Sequence, residues 1–259
     1  MALPLTKYHR YRWCLLGILL LTAVVFFKTL FFDFVWDDLV FLVGQTSYQS
    51  ATLGQLLLSP INGVEYLPLR DLTYIIDYGI WGWKPFGFHL SNLILYCLNV
   101  WAVYHLTVTL NSTLFPAKGD DKHDSSVWTA LVTAAFFAVL PLHSDVVSFI
   151  HSRNVLLSGL FFFMSCTWSL KFIDCGRWRH LVFAFLLFAC ALLSKATAIV
   201  LPLILLLFLY LRPTRTARDY VSVLPFVALA AIFFFIFKFH ATESNAINEQ
   251  LAMNTGRYD

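Results

Sequence analysis

The chain has 259 residues, of which 59% are hydrophobic and only 13% are charged, and its mean hydropathy is +0.71. Soluble domains carry about a quarter charged residues, so this composition excludes a soluble globular domain and predicts a polytopic membrane protein. The net charge of +3 comes mostly from short loops, where it bears on membrane topology, and we expect no nucleic-acid partner.

Seven apolar runs predict an all-α membrane protein, a polytopic bundle of about seven transmembrane helices. The predicted spans lie near residues 13–32, 88–110, 127–140, 155–172, 181–193, 198–211 and 221–239. They form one transmembrane domain over residues 1–239, whose first span we expect to remain uncleaved. We expect residues 240–259 to be a polar extracytoplasmic tail that is truncated.

The stretch DFVWDD, residues 33–38, follows the first span directly. Three carboxylates at a membrane edge are costly if they only decorate the surface, which makes them candidates for a functional site. The alternative is a stop signal whose acids are solvated among the lipid headgroups. Later in the same loop, the apolar run 72–83 is interrupted by Asp77, Gly79 and Gly82 and predicts a helix that lies in the interface.

The second predicted span carries four polar residues, His89, Asn92, Asn99 and His105. These positions do not share one narrow helical stripe, so they predict no metal-binding face. We expect the two asparagines and His105 to form hydrogen bonds with neighbouring helices.

The basic residues predict the sidedness of the bundle. With a cytoplasmic amino terminus, eleven Lys and Arg residues fall in cytoplasmic segments and six in outer segments, as the positive-inside rule requires. The outer ones are Arg70, Lys84, Arg153, Lys195, Lys238 and Arg257. The polar residues of the outer loops therefore all face the extracytoplasmic side.

Each outer loop brings acids, basic residues or histidines to that side. The set comprises Asp37, Asp38, Arg70, Asp71, His89, His143, Asp145, His151, Arg153 and Lys195. Such a combination suits group transfer from a phosphate-bearing donor, because a carboxylate can accept the proton of a hydroxyl while Arg and Lys hold the phosphate. A donor with a lipid tail would explain a site at the membrane edge. The alternative for each basic residue is an anchor to lipid headgroups.

The sequence gives less support for a metal site or a nucleotide site. His143 and Asp145 can supply two ligands, but no HExxH or other tight ligand spacing is present, so we predict no metal site and no required cofactor. A divalent metal stays an alternative without support from the sequence. For His89, His105 and His151, a structural role is the favoured interpretation over metal binding. The chain has no glycine-rich phosphate loop, which argues against a cytosolic nucleotide donor.

Four stretches, in this order, resemble the membrane half of the GT-C glycosyltransferases. They are FVWDD after the first span, YLPLRDLTYIIDYGIWGWKPFGFHLSNLILYCLN from residue 66, LPLHSDVVSFIHSRNVLLSGLFF from residue 140 and LLSKATAIVLPLILLL from residue 192. The resemblance covers about residues 30–211. It is greatest to the transmembrane-and-TPR O-mannosyltransferases and their bacterial relatives.

The resemblance implies a GT-C bundle, a polyprenyl-phosphate sugar, mannose-like, as donor and a hydroxyl of a protein or glycan as acceptor. It also implies catalytic acids in the first outer loop, Asp37 and Asp38, with Asp37 as the base. On the same basis the donor phosphate is expected at Arg153, Lys195 and Arg70, and the cleft is expected to be lined by His143, Asp145 and His89.

Full-length members of this family continue with further spans and TPR repeats, so we expect this chain to be a fragment, a truncated product or a module that needs a partner. The leading hypothesis is a glycosyltransferase of the multi-pass membrane class, in a bacterial inner membrane, which the resemblance favours, or in the endoplasmic reticulum. The alternative is a non-catalytic subunit that binds lipid-linked sugar or scaffolds a partner. A transporter fits less well, because the charges lie at helix ends and no internal repeat is visible.

Overall fold

A computed structural model describes most of the chain. The described residues are 5–43, 47–50, 52–58, 61, 65–115, 120–214 and 216–238. They contain helices and connecting segments and no strand. The predicted polar tail, residues 240–259, lies outside the described residues.

Twelve α-helices follow one another in these segments. They are α1 Leu5–Val25, α2 Ser47–Ser50, α3 Leu53–Leu58, α4 Pro68–Trp81, α5 Pro85–Leu114, α6 Asp120–Val139, α7 Ser144–Ser148, α8 Arg153–Cys175, α9 Trp178–Ser194, α10 Leu201–Leu211, α11 Ala217–Val221 and α12 over 224–238. Short 3-10 turns lie at Phe27–Phe31, Pro141–His143, Ile150–Ser152 and Ala196–Val200, and a π-helical turn lies at Leu39–Val43.

Every predicted span coincides with a helix, which confirms an all-α membrane protein. Among the described residues, four helical segments are long and apolar enough to cross a bilayer, namely Arg10–Phe31, Pro85–Leu114, Ile150–Cys175 and Ala217–Lys238. A fifth is a pair, Asp124–Val139 and Pro141–Ser148, bent by 54°. The segments Trp178–Ser194 and Ala196–Leu211 are apolar but shorter. The number seven and the interfacial position of α4 therefore stay predictions.

Helices α5 and α8 form the centre of the bundle, and α8 packs along α9 while α5 packs against α6 and α1. A close approach joins the two central helices at Gly159, where an added Cβ would lie 2.9 Å from Asn99 Oδ1. The Asn99 amide is held there because its Nδ2 donates to the carbonyl of Leu156 across the interface at 2.9 Å. Glycine at position 159 is thus required by the packing.

The two asparagines of the second span bridge helices as predicted, since Asn92 Nδ2 also donates to the carbonyl of Phe149 at 3.2 Å. The expectation for His105 was wrong within the described part of the chain. Its ring makes no hydrogen bond there and packs instead against Trp101, with ring centroids 4.5 Å apart, and against Tyr104.

The bend after α6 has a chemical cause. Pro141 has no N–H, so the carbonyl of Phe137, four residues earlier, loses its helical partner. The Tyr96 hydroxyl donates to that carbonyl at 2.7 Å, and His143 Nδ1 lies 3.1 Å from it and 2.8 Å from the Tyr96 oxygen. The sequence PLH thus marks a helix break, and Tyr96 of α5 supplies the hydrogen-bond donor that Pro141 lacks.

We predict that Gly159→Ala lowers the free energy of unfolding by about 1–3 kcal/mol, the usual cost of overpacking a filled interface. The matched control is Gly79→Ala, on the exposed side of α4, where an added Cβ has nothing within 4 Å. This control should be neutral or stabilising, because alanine favours helix more than glycine does. Unfolding of both variants in mixed micelles tests this, and equal stabilities of Gly159→Ala and the wild type would contradict the packing.

Candidate functional site

The two adjacent acids of the loop after the first span, Asp37 and Asp38, have opposite environments. Asp38 is fully buried. Its Oδ1 accepts the backbone N–H of His151 at 2.8 Å, and its Oδ2 accepts that of Val35 at 3.3 Å. Burial raises the pKa of the Asp38 carboxyl, although both hydrogen bonds act in the opposite direction. Asp38 therefore fastens the first loop to the beginning of the helical segment that contains α8.

Asp37 is exposed, and no described residue donates a hydrogen bond to it. The preceding Trp36 has φ +49°, the only positive φ at a non-glycine residue in the described part of the chain, and its side chain is 83% exposed. A left-handed backbone is unfavourable for a bulky residue and is retained where the surroundings impose it. This turn directs Asp38 inward and leaves Asp37 at the surface.

Arg70 lies inside the protein beneath the loop. Its Nη1 is 2.6 Å from Glu65 Oε2, and its Nε donates to Asp71 Oδ1 at 3.0 Å. The same Asp71 oxygen accepts the hydroxyl of Tyr48 at 3.0 Å. The Arg70 side chain is 1% exposed, and its guanidinium is paired with the carboxylates of Glu65 and Asp71.

Glu65 was not singled out from the sequence, yet it belongs to the open part of this cluster. Its side chain is 42% exposed, and its Oε2 lies 3.6 Å from His151 Nε2. His151 also has Asp37 and Asp38 as electrostatic neighbours. The structure thus places Glu65 next to His151, whose charge environment also includes Asp37. The signal that would have found Glu65 is its position just before the YLPLRD stretch.

Arg153 is the most completely enclosed cation in the set. It is fully buried and its Nη1 lies 2.5 Å from Asp77 Oδ2. Its Nε donates to Asn92 Oδ1 and its Nη2 to the carbonyl of Phe88, both at 2.8 Å. Its carbon Cζ also lies 4.8 Å from the centre of the Tyr74 ring. This residue ties α4, α5 and α8 together and presents no surface to a donor phosphate.

Asp77 and Arg70 belong to one buried polar face of α4. The buried residues of this helix are Pro68, Arg70, Asp71, Tyr74 and Asp77, which recur at helical spacing. The opposite face exposes Ile76 and Ile80. Helix α4 is therefore amphipathic, with its charged face turned into the protein.

Lys195 differs from both arginines. It lies directly after α9, which ends at Ser194, and it makes no side-chain hydrogen bond or ion pair with any described residue. Its side chain lines a cavity of about 390 Å³ together with Ser158, Gly159 and Thr197. The cavity thus combines one cation with two hydroxyl side chains.

The three residues predicted to line the cleft lie in different places. Asp145 is exposed and shares a pocket of about 500 Å³ with Asp33. His143 is half-buried at the bend, where it contacts Tyr96. His89 is fully buried, so it presents no surface to a cleft, and neither ring nitrogen has a hydrogen-bond partner among the described residues.

Potential metal ligands do not converge in the described residues. In that part of the chain, no three His, Cys, Asp or Glu side chains are placed to hold one ion. The accessible charged groups include a carboxylate in a loop and a cation in a separate cavity. The first can accept a proton and the second can bind an anion.

Comparison with known proteins shows which proteins the chain is similar to. Residues 125–241 match the family model described as dolichyl-phosphate-mannose-protein mannosyltransferase. Together with the apolar helical bundle, this match confirms the resemblance to the GT-C membrane glycosyltransferases.

Within that class, the matched relatives are protein O-mannosyl-transferases of the TMTC group. The chain is 32% identical to human TMTC4 over 165 residues, which are 59% of this chain and 22% of that protein. It is 27% identical to Drosophila melanogaster Tmtc1 over 208 residues, which are 76% of this chain and 23% of that protein. The chain therefore spans about a fifth of the length of these relatives. No solved structure matches it.

We predict that Arg153→Met destabilises the bundle by about 3–5 kcal/mol, because it leaves the Asp77 carboxylate buried without its cation. The double variant Arg153→Met/Asp77→Asn should recover a large part of this loss, since it removes both charges. Reversible unfolding in micelles measures all three variants. Purely additive effects of the two substitutions would contradict a direct ion pair.

The buried Asp38 carboxyl predicts a pH dependence of stability. Because its pKa is raised in the folded protein, the unfolded chain releases this proton first, and the free energy of unfolding falls as the pH rises above about 4. Asp38→Asn should flatten this part of the profile. Asp33→Asn, an exposed acid of the same loop, is the control and should keep the wild-type slope. Parallel profiles for all three proteins would refute the assignment.

Proposed function

We propose that this chain is the donor-handling membrane part of a glycosyltransferase, which moves a mannose-like sugar from a polyprenyl-phosphate carrier to an acceptor hydroxyl on the extracytoplasmic side. One observation carries the proposal. Of the five charged residues predicted to act as base or phosphate ligand, Asp37 and Lys195 keep their charged groups open, whereas Asp38, Arg70 and Arg153 are buried in protein contacts.

The connections of the helices support placing these two residues at the same end of the bundle. Asp38 is bonded to the backbone of His151, immediately before α8 begins at Arg153. Helix α9 packs back along α8, and the Lys195 cavity after its end is lined by Ser158 in the first turns of α8. An acid and a cation that both adjoin the first part of α8 suit one transfer site.

Asp37 is suited to act as the general base. Its carboxylate is exposed and has His151 as an electrostatic neighbour, so an acceptor hydroxyl can approach it. The carboxylate would accept the hydroxyl proton as the oxygen attacks the anomeric carbon of the sugar. In the proposal, Asp38 keeps this loop in place and does not contact the reacting groups.

Lys195 is suited to hold the donor phosphate. As the bond between sugar and phosphate breaks, negative charge grows on the departing phosphate, and a fixed cation stabilises it. Ser158 and Thr197 in the same cavity add hydroxyl groups that can donate hydrogen bonds. Arg70 and Arg153 become framework residues in this proposal because both are buried and paired with protein carboxylates.

The comparisons favour mannose and a protein acceptor, because the matched relatives are named protein O-mannosyl-transferases. Asp145, exposed beside Asp33, remains our candidate for lining the acceptor side. Of the two locations that the sequence leaves open, the human and fly relatives favour the endoplasmic reticulum over the bacterial inner membrane. The amino terminus is proposed to be cytoplasmic.

The decisive experiment measures transfer from radiolabelled polyprenyl-phosphate mannose in membranes that contain the chain. Asp37→Asn should lower transfer by at least about a hundredfold, the usual contribution of a general base. Asp37→Glu, which keeps a carboxylate, is the matched variant and should retain measurable activity. Full activity of Asp37→Asn would overturn the assignment.

Binding of the same donor separates the enzyme from the alternative, a non-catalytic subunit that holds lipid-linked sugar. Lys195→Gln should weaken donor binding, whereas Lys84→Gln, another lysine at a helix end with an exposed side chain, should not. Binding without turnover in the wild type, even with candidate acceptor peptides, would favour the subunit. Equal donor affinities of both variants would remove Lys195 from the site.

A further inference from the structure

The loop after the first span carries several exposed apolar side chains next to one another. Trp36 is 83% exposed, Val40 58%, Leu39 51% and Val35 43%. Single exposed apolar residues are common on protein surfaces, whereas a contiguous group marks a contact with a membrane or with another protein. We call these four residues the Trp36 patch.

The lipid-facing surface of the first span leads directly into this patch. The apolar segment Arg10–Phe31 is long enough to cross a bilayer. At its end, Phe27 and Phe31 are 56% and 70% exposed, and their ring centroids lie 5.5 Å apart. Phe31 and Val35 line the same pocket of about 500 Å³. The surface that the span presents to lipid and the Trp36 patch therefore adjoin each other.

The backbone of the loop holds the Trp36 side chain outward. The carbonyl of Val35 accepts the N–H of Asp38 at 2.9 Å, and that of Trp36 accepts the N–H of Leu39 at 3.0 Å. The buried Asp38 carboxylate also accepts the N–H of Val35. These bonds maintain a positive φ that is unfavourable for a bulky residue. The outward position of the indole is therefore fixed by the turn.

The acids beside the patch determine how deeply it can lie. Asp33 and Asp37 are both exposed, and a carboxylate in the middle of a bilayer is costly. Tryptophan is enriched where headgroups meet hydrocarbon, because its indole combines an apolar ring with an N–H donor. The patch therefore fits this boundary, with the acids on its water side.

We propose that the Trp36 patch is a membrane anchor, which inserts into the leaflet where the first span ends. The indole of Trp36 lies at the level of the headgroups, Leu39 and Val40 contact the first carbons of the acyl chains, and Asp37 is kept at the membrane surface. Residues 35–40 contain no Lys or Arg, so the insertion requires no anionic lipid. The inference does not depend on Asp37 acting as a base.

The test uses the full chain, labelled with fluorinated tryptophan, in nanodiscs of phosphatidylcholine. The fluorine resonance of Trp36 is the one that disappears in Trp36→Phe. A nitroxide attached to the lipid near its headgroup should broaden this resonance, and a nitroxide near the end of the acyl chain should broaden it less. Trp13, which is 69% exposed within the first span and is assigned in the same way, is the reference for contact with lipid.

Two results of this experiment would overturn the proposal. Broadening of the Trp36 resonance by a water-soluble gadolinium chelate, without an effect of the lipid nitroxides, would show that the loop lies in water. A resonance that neither reagent reaches would show that protein covers the patch.

A second measurement keeps Trp36 in place. Leu39→Asp adds a charge on the lipid side of the patch and should lower the broadening of Trp36 by the headgroup nitroxide severalfold. Leu39→Met, which stays apolar, is the matched control and should behave like the wild type. An unchanged Trp13 resonance shows that the variants are folded. Equal broadening in Leu39→Asp and Leu39→Met would refute the anchor, and so would insertion only after an anionic phospholipid is added.

Discussion

The ion pair between Arg153 and Asp77 is the constraint on which the outer end of this bundle depends. A buried arginine in a membrane protein is costly unless all its donors are satisfied. Here two helices provide the acceptors, Asp77 from α4 and both Asn92 and the carbonyl of Phe88 from α5, for a guanidinium carried by α8. The position of α4 follows from this arrangement, and with it the place of Arg70 and its carboxylates beneath the first loop.

Polar groups inside the bundle follow a common pattern, in which a side chain replaces a missing backbone partner or binds a free backbone group. Tyr96 donates to the carbonyl that Pro141 leaves without its helical donor, and Asp38 accepts the N–H of His151 at a helix beginning. Such contacts are strong in a low dielectric and allow helices to bend or begin where a membrane would otherwise forbid it. Among the residues predicted to act as base or phosphate ligand, Asp37 and Lys195 stay open.

Hydropathy predicted the apolar helical segments, because burial in lipid selects apolar residues over whole stretches of about twenty. How many of these segments cross the bilayer stays a prediction. Hydropathy could not predict that Asp37 is exposed and Asp38 is buried. Both residues are aspartates. The left-handed turn at Trp36 and a backbone donor 113 residues further along the chain decide which of them is buried and which is exposed. In the same way, Arg153 and Lys195 both interrupt apolar runs, and only the presence of Asp77 across the packing makes one of them a framework residue.

The inward-facing charges of α4 also bear on the order of biosynthesis. This helix leaves the ribosome well before α8, yet its Asp77 carboxylate finds its cation only when Arg153 arrives 76 residues later. Until α8 has been synthesised, the apolar face of α4 can contact lipid, but its charged face lacks the partner that Arg153 provides. The ion pair can therefore form only after α8 has been synthesised, and α4 reaches its final position against α5 and α8 after that point.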